Sequence, residues 1–207
     1  MHNESLHNEP ITIDKKRLFF AVEVCPEVRD TIAETVSRLQ KAAHFTPAQV
    51  LWSPSENYHI TLYFLGSVPV STADSLRNFV QTEKPPVAPF KLDFRHISTF
   101  PEGRGQLPKV LWAGVHNPPA ELKQLRAWTG GLIARAKLPV PDQNFTPHVT
   151  VARFKGTKGL FPFRKLLEAY KFQKFGTCHV ARIVLMESIT GNGPARYEPF
   201  ATANLQP

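Results

Sequence analysis

The chain has 207 residues, 42% of them apolar, with 25 Lys and Arg against 17 Asp and Glu and a net charge of +8. That length fits one domain, or two small lobes sharing a core, and no apolar run is long enough to cross a bilayer. Residues 1–14 are polar and carry acids, which predicts no secretory leader there. The cation excess suits an anionic partner such as RNA or a nucleotide. Cys25 and Cys178 stand far apart in no metal-binding spacing, and are expected as buried thiols in a reducing, cytoplasmic compartment.

Residues 1–16 read as a flexible extension, and 17–207 as a single domain. Residues 17–24 form a first predicted strand. Pro26 opens a helix to about Ala43, with Val28, Ile32, Val36 and Leu39 at helical spacing. Residues 52–66 contain a strand ended by Gly66. A second helix is expected over 70–83, capped by Ser71 or Thr72, and Pro85-Pro86 breaks it. Strands over 90–100 and 109–116 flank a turn-rich loop. A third helix then runs from Pro118-Pro119 to about Lys137, weakened locally by Gly130-Gly131. Residues 148–154 read as a strand entered through Pro147. A short basic helix over 163–172 precedes two last strands, 177–188 and 195–202. The sum is an α+β protein of two similar lobes, each with antiparallel strands and helices.

Two tracts are near-copies. His59-Ile60-Thr61-Leu62 and His148-Val149-Thr150-Val151 share a His-apolar-Thr-apolar pattern. Side chains alternate along a strand, so each His shares a face with its Thr while the apolar pair faces away. Imidazole titrates near neutrality, so one His accepts a proton while the other donates one. A reaction in which a nucleophile loses a proton and a leaving group gains one needs both. Threonine hydroxyls two residues along are suited to non-bridging phosphate oxygens. Arg153 follows Thr150 by three residues and falls on the opposite face unless a bulge or strand end intervenes. A bell-shaped rate profile with two near-neutral limbs is expected.

The same residues admit competing roles. Neither His has a nearby carboxylate or thiolate in metal-ligand spacing, so no metal is predicted. No Gly-x-Ser-x-Gly elbow supports a serine hydrolase. The glycines at 103, 105, 191 and 193 are explained by plain turns. Tyr58, Tyr63, Phe64, Phe100 and Trp112 are either core or platforms for a base. Arg104, Lys109, Lys155 and Lys158 are either a solvated surface or a track for an RNA backbone. His44, His96, His116 and His179 read as structural or surface residues.

The doubled motif resembles the 2H phosphoesterase family, in its bacterial RNA 2′,3′-cyclic phosphodiesterase branch, also called the 2′-5′ RNA ligase family. The resemblance runs from Arg17 nearly to the C-terminus. It rests on Arg17-Leu-Phe-Phe-Ala21, on Trp52 with His59 to Gly66, and on Leu107 to Gly114. Pro147 to Arg153 and Leu185 to Ser188, with Gly193 and Tyr197, complete it. The first sixteen residues precede the family's usual start, and Val151 replaces a more usual Leu. The resemblance implies a bilobal fold around a central cleft, with no cofactor and no required metal. It implies hydrolysis of terminal RNA 2′,3′-cyclic phosphates to 2′-phosphates, with His59 as acid and His148 as base. Thr61, Thr150 and Arg153 would bind the phosphate. Partners would be RNA ends carrying the cyclic phosphate, small cyclic nucleotides or tRNA halves, met by a monomer away from membranes. A 2′-5′ RNA ligase or 2′-5′ phosphodiesterase shares the same residues, and a non-catalytic RNA- or nucleotide-binding protein is the reading from another class.

Overall fold

A computed structural model describes residues 14–43, 49–101, 107–141, 144–155, 160–191 and 195–206, without the side chains of 160–162 and 164. His2, His7, His44, Arg104, Lys158, the glycines at 103, 105 and 193, and all but the end of the expected N-terminal extension lie outside the described residues.

The chain builds strands β1 (Lys15–Glu23), β2 (Val50–Trp52), β3 (His59–Pro69), β4 (Phe90–Phe100), β5 (Val110–His116), β6 (His148–Phe154), β7 (Lys174–Val180), β8 (Arg182–Ile189) and β9 (Arg196–Asn204). Four α-helices accompany them: α1 (Pro26–Ala43), α2 (Val70–Thr82), α3 (Ala120–Arg135) and α4 (Leu160–Leu167). The strands form one antiparallel sheet in the order β7-β4-β5-β6-β3-β1-β8-β9, and β2 pairs with β6 off this path.

The two His-Thr strands are neighbours at the centre of that order. Four strands lie on each side: β3, β1, β8 and β9 in one lobe, β6, β5, β4 and β7 in the other. One register pair, Ile60 opposite Val149, joins them, and both residues are fully buried. Helices α2 and α3 pack on the first lobe, against β9 and β3; α1 packs on the second, against β7. Each lobe therefore borrows from both ends of the chain, and the lobes are not the sequence halves.

Strand β1 shows why one face of the sheet becomes a cleft. Leu18, Phe20 and Val22 enter the main core, while Phe19 and Ala21 join Val184 and Met186 in a separate cluster on the other face. Burying a side chain of Leu or Phe size contributes about 1.5–3 kcal/mol. A strand buried on both faces reads as an unbroken apolar run, and residues 18–22 are one.

Several expectations are corrected. Residues 177–188 are not one strand: the chain leaves β7 and enters β8 on opposite sides of the centre, with Ala181 between them. No Gly or Pro marks that crossing, so sequence pattern alone joined the two runs. Gly66 does not end its strand; it adopts φ 70° inside β3, which continues to Pro69. Helix α2 begins at Val70 after Pro69 and has no side-chain cap, so neither Ser71 nor Thr72 is its N-cap. Strand β1 starts at Lys15, two residues before the expected boundary. Helix α3 runs through Gly130-Gly131 without a break. A Cβ at Gly130 would come within 3.2 Å of the Tyr63 hydroxyl, so that glycine admits Tyr63 rather than loosening the helix.

The cysteines are corrected as well. Cys25, at the entry to α1, and Cys178, in β7, are joined as a disulfide with Cα atoms 5.5 Å apart across 153 residues of sequence. The packing of α1 on β7 brings them together, which no spacing rule reveals.

Candidate active site

Both histidines are fixed in the same way. His59 Nδ1 donates to the backbone carbonyl of Asn57, and His148 Nδ1 to that of Thr146, each at 2.7 Å. A carbonyl only accepts, so each Nδ1 carries the proton and each neutral ring presents Nε2 as its basic nitrogen. Thr61 Oγ1 donates to His59 Nε2 at 2.9 Å. The tautomer is thus set by the chain two residues upstream.

Aromatic rings wall each imidazole. Phe19 lies 4.8 Å and Tyr197 5.2 Å from His59, centroid to centroid. Phe100 lies 5.0 Å and Trp112 5.9 Å from His148. This burial drives the titration. His59 is lowered to about 4, mainly by desolvation, against the opposing pull of the Asn57 carbonyl; the His148 charge lowers it further. His148 is also lowered by desolvation, with the Thr146 carbonyl opposing and Arg153 adding to the fall. His59 therefore feels the charge of His148 across the centre of the sheet, and lowering favours the neutral form of both rings in the free protein. The near-neutral limbs expected from sequence move to the acid side.

A cleft of about 480 Å³ opens on this face, lined by His59, Thr61, Thr150, Arg153 and their neighbours. His148 shares the Thr150 face of β6 beside it. Arg153 reaches the cleft through a bulge. Opposite β5, Trp112 pairs with Thr150 and Leu111 with Ala152, leaving Val151 as an extra residue. Val151 and Ala152 are both buried, and alternation resumes one step late. Strand β3 carries the same device: Ala21 pairs with Thr61 and Phe20 with Tyr63, so Leu62 is the extra residue. Both copies of the motif thus bulge just after their threonine.

Tyr58, Tyr63 and Trp112 are buried and available to no base. Phe64 is 42% exposed and lines the cleft. Lys109 and Lys155 are exposed but are not among the cleft lining, and His116 and His179 are exposed. His96 packs on Trp112 at 5.3 Å. It sits where Gly114 has no side chain, since a Cβ there would collide with its ring. Among the described residues no group of three or more His, Cys, Asp or Glu is placed to hold a metal ion.

Sequence reasoning passed over Asn57, Phe19 and Ser188. Asn57 Nδ2 donates to the Ala195 carbonyl at 2.7 Å, tying the turn before β3 to the entry of β9. Ser188 faces the cleft opposite Tyr197 in the β8–β9 ladder. A signal for Asn57 existed, because Asn57 and Thr146 both stand two residues before their histidine. For Ser188 the only signal was its place in the closing segment of the resemblance, and its position at the cleft depends on a strand crossing.

Chemically, the cleft offers the His59 imidazole, with His148 beside it, the hydroxyls of Thr61 and Thr150 among others, and two guanidiniums, Arg17 and Arg153, and among the described residues no carboxylate lines it. Comparison with known proteins gives the family. A family model described as the 2′-5′ RNA ligase superfamily matches residues 26–192. A relative from Aeropyrum pernix, named RNA 2′,3′-cyclic phosphodiesterase, is 31% identical over 160 residues, covering 77% of this chain and 89% of that protein. An Escherichia coli relative of the same name is 29% identical, covering 90% and 95%. The crystal structure of E. coli LigT complexed with 3′-AMP superposes with a TM-score of 0.71 at 24% identity, covering 94% of this chain and all of that one.

Proposed function

This chain belongs to the 2′-5′ RNA ligase superfamily, and on that premise we propose that it is an RNA 2′,3′-cyclic phosphodiesterase working through His59 and His148. The observation that carries the reading is the pair of bulged His-x-Thr strands brought side by side, each ring fixed at Nδ1 and offering Nε2.

The reaction adds water across the P–O3′ bond of a terminal 2′,3′-cyclic phosphate. His148 Nε2 takes the proton of the attacking water. The bond from phosphorus to O3′ breaks, and His59 delivers a proton to the departing O3′, leaving a 2′-phosphate. Neutral imidazoles suit the base at once. The acid needs a proton, and the anionic substrate supplies the reason to hold one, because a negative charge in the cleft raises both imidazoles. Thr61, Thr150 and Arg153 hold the non-bridging oxygens and the charge that builds on them. Substrates are RNA ends or small cyclic nucleotides, and the 3′-AMP in E. coli LigT is a ligand of that chemistry. Ligation of RNA halves is the same opening of the cyclic phosphate with a 5′-hydroxyl in place of water: the 5′-oxygen bonds to phosphorus, the P–O3′ bond breaks, and O3′ takes the proton.

The acting unit is a monomer that includes β1 from Lys15, and no helix of the described residues is long and apolar enough to cross a membrane. The test is hydrolysis of adenosine 2′,3′-cyclic phosphate with chelator present, the product identified by phosphorus NMR. A 2′-phosphate from the native chain, lost in H59A and H148A, is the expected result. Turnover that survives both substitutions removes the proposal, and binding without turnover leaves a nucleotide-binding protein.

A further inference from the structure

A third imidazole stands next to His148. Gly114 in β5 lies opposite His148 on one side and opposite Arg95 in β4 on the other. Between Arg95 and Ile97 the β4 ladder slips by one residue, and His96 is the residue left over. Its φ is 51°, in the left-handed region that a side chain rarely adopts. From there its ring occupies the space that a Cβ on Gly114 would need. Side chains directly opposite in an antiparallel pair stand about 5 Å apart. The bulge therefore sets the His96 ring in the place of the missing cross-strand neighbour of His148.

The same ring meets the Trp112 indole edge-on, 5.3 Å between centroids. The indole stacks on Phe100 at 4.7 Å, and His148 lies 5.0 Å from Phe100 and 5.9 Å from Trp112. Trp112 is buried, yet its Nε1–H has no acceptor among the described residues. A left-handed histidine and an orphaned indole donor are both unfavourable, and such features gather at functional sites. Glycine would satisfy the backbone at 96, and phenylalanine at 112 would bury no donor, so folding alone accounts for neither. Both stand on one flank of the proposed base.

We propose that His96 is a positioning residue for His148: its ring fills the gap over Gly114, holds the edge of Trp112 and closes that flank of the base against water. The inference rests on the proposed reaction, in which His148 takes the proton of the attacking water. Three charged or titratable groups face His148: His59 on β3, Arg153 on its own strand and His96 on β4. Gly114 and Trp112 on β5 do not titrate. His148 is lowered mainly by desolvation. Water admitted at its flank therefore raises it, and the acid limb of kcat/KM moves to higher pH.

The experiment compares H96G, which suits the left-handed backbone, with H96F, which keeps an uncharged ring. H96G is expected to lower kcat for adenosine 2′,3′-cyclic phosphate about tenfold, with KM within about twofold of native. It should also raise the His148 titration followed by NMR. H96F is expected to restore most of both. Thermal melts verify that each variant folds; should H96F not fold, H96Q, uncharged and of similar length, takes its place. An H96G with kcat unchanged, or with the His148 titration unmoved, overturns the proposal, as does an H96F that behaves like H96G. Should the native protein hydrolyse no cyclic nucleotide, the reaction reading fails, and the His148 titration in H96G still decides whether His96 closes that flank.

Discussion

Strands β3 and β6 carry the same pattern and the same bulge, yet their histidines sit in unlike surroundings. His59 has both ring nitrogens engaged, Nδ1 by Asn57 and Nε2 by Thr61, and is lowered to about 4. Among the described residues His148 is engaged at Nδ1 alone, and a guanidinium five residues on contributes to its shift. Beneath His59 lies the cluster of Phe19, Ala21, Val184 and Met186, closed by Tyr197. Beneath His148 lie Phe100 and Trp112. A duplicated motif thus supplies two chemically identical groups, and the walls around them make those groups unequal. Acid and base roles need that inequality.

The comparison breaks most visibly at the rings themselves. H59A and H148A are each expected to lower kcat by about 10²–10⁴. The double variant should cost little more than the worse single one, since the two act as a unit. Steady-state hydrolysis of a cyclic nucleotide measures this; additive losses would mean that the rings work independently. Next comes the charge held by one lobe only. R153A is expected to reduce kcat by about 10²–10³, whereas F64A, at the matching position past the β3 bulge, should act mainly on KM. Equal kcat losses at both positions would erase the asymmetry.

The joint between the lobes is the third place to press. Ile60 is fully buried opposite Val149 at the pairing of β3 with β6, and I60A is expected to lower unfolding stability by about 2–5 kcal/mol in urea titration. The hydroxyls come next. T61V removes the proton donor to His59 Nε2, so it should shift the pH profile as well as slow the reaction. T150V, with no bond to its histidine, should slow the reaction about tenfold without that shift.

The pH dependence sharpens the comparison last. In the free protein both imidazoles titrate below 6.5, so kcat/KM should peak on the acid side of 6.5. The kcat profile should lie at higher pH, because bound anion raises both groups. Stability follows the same sign. Both folded-state values are depressed, so the stabilisation is full above 6.5 and is lost as pH falls towards about 4. H59Q should flatten that loss in thermal melts across this range, and H148Q should flatten it less.

The residues proposed to do the chemistry were legible because they repeat. Two His-x-Thr strands announced their own faces, and Asp- and Glu-poor surroundings separated them from metal motifs. Arg153 was half legible: its type and nearness were visible, but alternation put it on the wrong face. The bulge at Val151 reversed that, and a bulge is set by pairing with β5, which local sequence does not encode. Residues 177–188 failed for a related reason. Their apolar pattern is that of one strand, and the crossing at Ala181 is imposed by where β7 and β8 find partners. The disulfide between Cys25 and Cys178 belongs to the same class, since only helix-on-sheet packing brings its ends together.

By itself the sequence determined the composition of the site: two imidazoles, two hydroxyls, a guanidinium and the short strands that carry them. Those follow from period-two alternation and side-chain chemistry, which act within a few residues. Tertiary structure alone decided that the two strands lie side by side and that their bulges turn Arg153 and Phe64 into one cleft. It also decided that Arg17 lies on Phe64 and that aromatic walls lower the two imidazoles. Those outcomes depend on contacts between residues tens to more than a hundred positions apart, where burial and strand pairing act on what the chain has brought into reach.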